Sequence, residues 1–424
     1  MNTIELSVND YKAISKADIA LDGITVLSGV NGSGKSSLSK LLYFAFKYAN
    51  AFEDIPSSEE NELWEIYRTV HSLRFEPYFR SLPMDKNIRF TRAEDNFDGR
   101  KEYYVGLIRK YLEYVNQQGQ KRITSNNEER IKSVLSNLLN INKKNNSLSE
   151  LLEDLEKRIN ELNDSYEKRN LSRPYTVFKR KLEDVLGVSL RDVVIKEFNV
   201  PFVGKGVNSV PIMHYVQNVV YIDTPMIVGV DFLMNGAEHW EDLQSLLDKP
   251  RQRSFSKKIF NNLKDDIIHG ESAKDDDRYF SSLRYNREDG QSFPLFDSAT
   301  GIKSFSILQM LLRNGVINKN TLLIIDEPEA HLHPQWIVEY ARLVVQMHKT
   351  IGTKFFIASH STDFVSAIRY IAAKQRQLSS LNFYLSQESK EKAYMFDYLH
   401  LGKNIEPIFA SFNKSYDKLS EYGA

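Results

Sequence analysis

Apolar residues in this chain gather in two patterns, compact runs and helically spaced stripes. "GITVLSG" (23–29), "TLLIIDEP" (321–328) and "TKFFIASHS" (353–361) are compact runs ending in polar residues, which reads as buried strands delivering side chains at their C-terminal ends. After the first, "KSSLSKLLYFAF" (35–46) places Leu38, Leu41, Leu42 and Phe46 at helical spacing, so a strand, a short loop and a helix are predicted in that order. Between the second and third runs, "PQWIVEYARLVVQMHK" (334–349) reads as a helix. His360 follows Asp326 by 34 residues, room for one helix and one strand. A parallel crossover of that length returns His360 to the sheet edge that carries Asp326.

The middle of the chain is patterned differently. Ser36 and Asp326 are 290 residues apart, far more than a few crossover units of about thirty residues each. From 51 to 185 the chain is charged and largely helical by pattern. "SLSELLEDLEKRINELNDSYEKR" places Leu148, Leu152, Leu155, Ile159, Leu162 and Tyr166 at alternating four and three spacing, a short heptad seam. Two readings are open: a helical hairpin or bundle used for dimerisation or for docking a partner, or an amphipathic helix packed on its own domain. "HYVQNVVYIDTPMIVG" (214–229) returns to strand character, "RYFSSLRYNREDGQSFPLF" (278–296) reads as a hairpin turning at Asp289-Gly290, and "LNFYLSQESKEKAYMFDYLHLG" (381–402) reads as a final hairpin. The predicted fold is α/β. Residues 1–50 and 215–424 form one domain around a mixed or parallel sheet, and 51–214 form a mainly helical insertion with a short coiled-coil-like segment.

Composition adds limits. With 424 residues and 42% apolar content the chain has enough for two to three domains with real cores. Lys+Arg and Asp+Glu both number 56, so any affinity for nucleic acid must come from a local patch. One basic run, "KPRQRSFSKK" (249–258), could track a phosphate backbone, though such runs are more often solvated helix faces. There is no cysteine, which excludes disulfides, thiolate zinc sites and cysteine nucleophiles and fits a cytoplasmic protein. No membrane span and no signal or transit peptide is legible.

The loop after the first strand, "SGVNGSGKSS" (28–37), fits the phosphate-binding pattern G-x-x-x-x-G-K-[ST] through Gly29, Gly34, Lys35 and Ser36. Its glycines let backbone N–H groups turn around phosphates, Lys35 brings a point charge to the β/γ oxygens, and the Ser36 hydroxyl suits Mg²⁺. At the end of the second strand Asp326 suits the same Mg²⁺ and Glu327 suits a general base for an attacking water. At the end of the third, His360 can hydrogen-bond a γ-phosphate oxygen and orient that water.

Together "GVNGSGKSS", "LLIIDEPEAHLHP" and "ASHS" resemble the ABC-type ATPase heads of the RecF/SMC-like superfamily. The nearest look is the OLD-like ATPases of antiphage defence. The resemblance spans about the first 50 and last 140 residues. It implies that Gly29, Val30, Asn31, Gly32, Ser33, Gly34, Lys35, Ser36 and Ser37 form Walker A around ATP, that Asp326 and Glu327 are Walker B, and that His360 is the switch histidine. His331 to Pro334 falls at the D-loop, and Tyr11-Lys12 resembles an N-terminal motif whose basic residue reaches toward phosphates. In "FDSATGIKSFSILQMLLRNG" (296–315), Thr300, Gly301 and Lys303 stand for the signature "SSGxK", while Ala299 and Ile302 depart from it. Thr362 stands where the family often has proline. Gln217 and Asp223 both qualify for the Q-loop position.

Such heads dimerise around ATP, so a homodimer or higher homo-oligomer is implied. OLD-like nucleases continue into a metal-dependent catalytic domain, whereas here about 64 residues follow His360. The expectation is therefore an ATPase that dimerises on ATP and regulates a separate effector, a nuclease or toxin, without membrane association. The alternative is a RecF-like DNA-binding ATPase of DNA repair.

Overall fold

The compact apolar runs become the centre of a ten-stranded sheet. The computed structural model describes residues 3–80, 82, 97–118, 125–141, 146–228, 238–252, 255–275 and 282–411. The chain divides into two units, Met1–Phe52 with Pro174–Ala424, and Glu53–Arg173. The first unit opens with strands β1 (Ile4–Tyr11), β2 (Ile14–Leu21) and β3 (Ile24–Ser28) and helix α1 (Lys35–Asn50). The second contains α2 (Ser58–Leu73), α3 (Phe97–Gln118), α4 (Ser125–Leu138) and α5 (Leu148–Ser172). The chain then returns to the first unit with α6 (Tyr175–Leu186), β4 (Val193–Glu197), β5 (Val200–Val203), β6 (Asn218–Ile222), α7 (Glu238–Leu247) and α8 (Lys257–Asn261). A three-stranded sheet follows, β7 (Gly270–Asp275), β8 (Ser282–Arg287) and β9 (Ser292–Pro294). The last elements are α9 (Thr300–Arg313), β10 (Thr321–Asp326), α10 (Pro334–Ile351), β11 (Lys354–Ser359), α11 (Thr362–Lys374), β12 (Leu381–Glu388) and β13 (Phe396–Gly402).

The large sheet has the order β5-β4-β1-β2-β13-β12-β3-β11-β10-β6. From β12 to β6 every neighbouring pair is parallel, and the β1–β2 and β4–β5 pairs are antiparallel. The parallel strands are buried on both faces, which is why they read as unbroken apolar runs rather than alternating ones. Leu323, Ile325, Phe355 and Ile357 share one core with residues of α9, α10 and α11. The intervening Leu322, Ile324 and Phe356 are equally buried, in strands that α1 also packs against. The expected α/β head with a mixed sheet is what the chain forms, and both predicted hairpins are present as β8–β9 and β12–β13.

Two expectations change. Residues 174–214, expected in the insertion, belong to the first unit, where β4 pairs with β1 and widens the sheet. The short β4 and β5 carry too little apolar signal to be separated from the helical stretch before them. The heptad seam is resolved as well. Leu148, Leu152, Leu155, Ile159 and Leu162 are buried in a core built from α2, α3, α4 and α5, so the seam is spent inside its own unit. That helix starts at a capping box, with Ser147 accepting from the Glu150 N–H and Glu150 accepting from the Ser147 N–H.

Candidate functional site

Because β3, β11, β10 and β6 run parallel, their C-terminal ends meet at one sheet edge, with Ser28 in register with Ser359 and Asp326 with Ala358. This is the edge where ligands bind in sheets of this kind. The 29–34 loop leaves β3 there and turns through positive φ at Gly29, Gly32 and Gly34. Gly34 sits at φ 92, and a Cβ on it would lie 2.6 Å from Ile14 Cγ1, so only glycine fits where the loop enters α1. The Lys35 ammonium is buried and folds back on the loop, donating to the carbonyls of Gly29 and Val30 at 2.9 Å each. Burial pulls its pKa down, while Glu327, Asp326 and Glu329 push it up. Ser36 and Asn31 are exposed at the mouth, and the buried Ser33 hydroxyl has no hydrogen-bond partner.

Asp326 is buried at the end of β10 and is held by two hydroxyl donors, Ser39 at 2.5 Å on Oδ1 and Tyr221 at 2.8 Å on Oδ2. Burial raises its pKa, and Ser39, Tyr221 and Ser36 lower it. The net direction is upward, since burial outweighs the hydroxyl donors, and a cation held between Asp326 and the neighbouring Ser36 would favour the ionised carboxylate. Glu327 makes the last ladder bond, its N–H donating to Ala358 O at 2.8 Å, and its left-handed backbone, φ 49, ends the strand. Its half-exposed carboxylate lies 3.4 Å from His360 Nδ1. Glu329, which sequence reasoning passed over, is buried and lies at the same 3.4 Å from that nitrogen.

The other candidates fall into place around this core. Lys12, in the β1–β2 turn at φ 53, is exposed at the same edge and close enough to Lys40 for their repulsion to add to the desolvation that lowers its pKa. Of the two Q-loop candidates, Gln217 lies at the opposite end of β6, hydrogen-bonded to Asn320. Asp223 follows β6 at the site edge, where it pairs with His239 and Trp240 at 2.8 Å each. Burial opposes its ionisation, but those two donors and Lys40 leave its pKa lowered.

Thr300 and Gly301 begin α9, and Gly301 packs so closely on Trp336 that a Cβ would lie 2.3 Å from the ring. The Lys303 side chain is buried with its ammonium 5.0 Å from the centre of the Phe296 ring. His331 at φ 60 is exposed, and His333 caps α10 ahead of Pro334. In the basic run 249–258, residues 253 and 254 lie outside the described residues. Arg251 stacks on Phe255 and stands 4.0 Å from Glu271, and Lys249, Lys257 and Lys258 are exposed.

Among the described residues no helix is long and apolar enough to cross a membrane. The fold is similar to that of the Smc head domain of Pyrococcus furiosus with an extended coiled coil, bound to the C-terminal domain of ScpA (11% identity, all of both chains, TM-score 0.36). It is also similar to the SMC head domain from Thermotoga maritima (10% identity, 95% of this chain and 99% of that one, TM-score 0.37). A third similar structure is cbiO1 of Clostridium perfringens, part of the ABC transporter complex cbiONQ (11% identity, 96% and 91%, TM-score 0.31). No curated protein matches the chain. One family model, described as "AAA domain, putative AbiEii toxin, Type IV TA system", matches residues 24–366, from β3 through the Walker-like strands to α11. The chain belongs to this family of AAA domains.

Proposed function

We propose that this chain binds and hydrolyses ATP with Mg²⁺, that two copies close head to head on ATP, and that closure regulates a separate effector, a nuclease or toxin, in antiphage defence in the cytoplasm. The observation that carries the ATPase reading is the convergence of Lys35, Ser36, Asp326, Glu327 and His360 at one sheet edge. Lys35 leaves the loop carbonyls to meet the β/γ oxygens. Ser36 and Asp326 would hold Mg²⁺, which when bound neutralises charge on the phosphate oxygens. Glu327 accepts the proton of the attacking water, and His360 orients that water against the γ-phosphate. Thr300, Gly301 and Lys303 serve the nucleotide of the other copy. The matched family is described as a putative toxin of a Type IV TA system, which supports a toxin–antitoxin setting; the separate effector rests on the resemblance to OLD-like ATPases alone.

The test is direct. Wild-type protein hydrolyses ATP with Mg²⁺, Lys35→Ala fails to bind nucleotide, and Glu327→Gln binds but turns over at least about a hundredfold more slowly. Wild-type turnover in Glu327→Gln would refute the base assignment. Nuclease activity of the isolated chain on plasmid, linear DNA or RNA, lost in a point variant outside the ATP site, would refute the regulator reading.

A further inference from the structure

The turn that carries His360 is fastened by a carboxylate that the proposed reaction does not use. Glu329 is 7% exposed, and its Oε1 accepts two hydrogen bonds at 2.9 Å, one from the Ser359 hydroxyl and one from the His360 backbone N–H. The Ser359 oxygen in turn accepts from the Ser361 N–H at 3.1 Å, and Ser361 caps α11 through the Phe364 N–H. One buried oxygen thus organises the whole passage from β11 to α11. Backbone support alone does not call for a charge, because a neutral amide would accept the same two bonds with less desolvation. Two further facts concern the ring. His360 Nδ1 lies 3.4 Å from Glu329 Oε1 and has no hydrogen-bond partner, and Glu329 Oε2 has none either. A buried carboxyl group and an imidazole therefore face each other with spare bonding capacity on both.

We infer that Glu329 is a positioning residue: it anchors the His360 backbone and faces the imidazole, and so presents the ring to the reacting phosphate without touching nucleotide itself. The inference rests on the ATPase reading above. In Glu329→Gln the two anchoring bonds survive and the carboxyl group that faces the ring is replaced by an amide. Turnover should fall about ten- to a hundredfold while nucleotide affinity stays within about twofold. His360→Ala should fall at least as far, and the double variant should fall no further than His360→Ala alone, since Glu329 acts through the ring. In Glu329→Ala the anchor itself is lost, and backbone hydrogen exchange over residues 357–362 should quicken about tenfold or more, while Glu329→Gln stays near wild type.

Wild-type turnover in Glu329→Gln, losses that multiply in the double variant, or unchanged exchange in Glu329→Ala would each overturn the assignment. A wild-type chain without Mg²⁺-dependent turnover would instead overturn the ATPase reading, and the exchange measurement would still decide whether Glu329 anchors His360.

Discussion

Single residues at the sheet edge are set by partners far away in sequence. Asp326 takes its hydroxyl donors from Ser39, 287 residues earlier, and from Tyr221, 105 residues earlier. Removing the second with Tyr221→Phe leaves one oxygen of a buried carboxylate without its donor, and urea unfolding should show a loss of about 1–3 kcal/mol. Gly301→Ala drives a methyl into the Trp336 ring and should cost about 1–3 kcal/mol in the same assay. Gly32→Ala offers the contrast: open space surrounds it, so only its φ of 80 is penalised. These distances also explain what the sequence made legible. Gly29 to Ser37 is one local pattern, and Asp326, Glu327 and His360 end apolar runs, so each could be named from its neighbours. Ser39, Tyr221 and Glu329 have no such local mark. A serine on α1, a tyrosine in β6 and a second glutamate after Pro328 acquire meaning only once the strands are aligned.

Elements were legible where one physical requirement dominates. Strands β3, β10 and β11 must be apolar on both faces, and the α1 stripe must meet them, so both were predicted from pattern. The heptad seam of α5 was legible as a stripe but not as to what it meets, since a helix pairs equally well with its own unit or with a partner. Leu155→Ala therefore should cost about 2–5 kcal/mol by removing a fully buried side chain. Leu171→Ala, on the same helix but 86% exposed, should change stability by less than about 0.5 kcal/mol. The start of β11 provides a pH-dependent case. The Lys354 ammonium is buried over the Tyr215 ring and donates to the Lys319 carbonyl. Burial pushes its pKa down to about 8, with Glu197 resisting that shift and Lys319 adding to it. The unfolded chain then binds the extra proton between about 8 and the ordinary 10.5, so stability rises with pH across that window. Lys354→Met should be more stable than wild type near pH 7 by on the order of 1 kcal/mol, read as a higher unfolding temperature, and that advantage should shrink as pH climbs toward about 10.

At the scale of the whole molecule the open question is whether one chain makes a complete site. Thr300 and Gly301 begin α9, which packs against Trp336, and Thr300 lies 4.0 Å from the Met226 sulfur. If these residues serve the nucleotide of a second copy, each site needs Lys35 from one chain and α9 from another. Two inactive variants then rescue each other. Lys35→Ala destroys the loop but leaves α9 intact, and Thr300→Arg blocks α9 but leaves the loop intact. In an equimolar mixture half of the dimers pair one of each and contain one whole site, so roughly a quarter of wild-type turnover per chain should return. The companion measurement is mass by light scattering on Glu327→Gln, which should move from monomer to dimer as ATP is added. A mixture as inactive as its two components, together with a monomer at saturating ATP, would mean that the site closes within one chain or with a different partner.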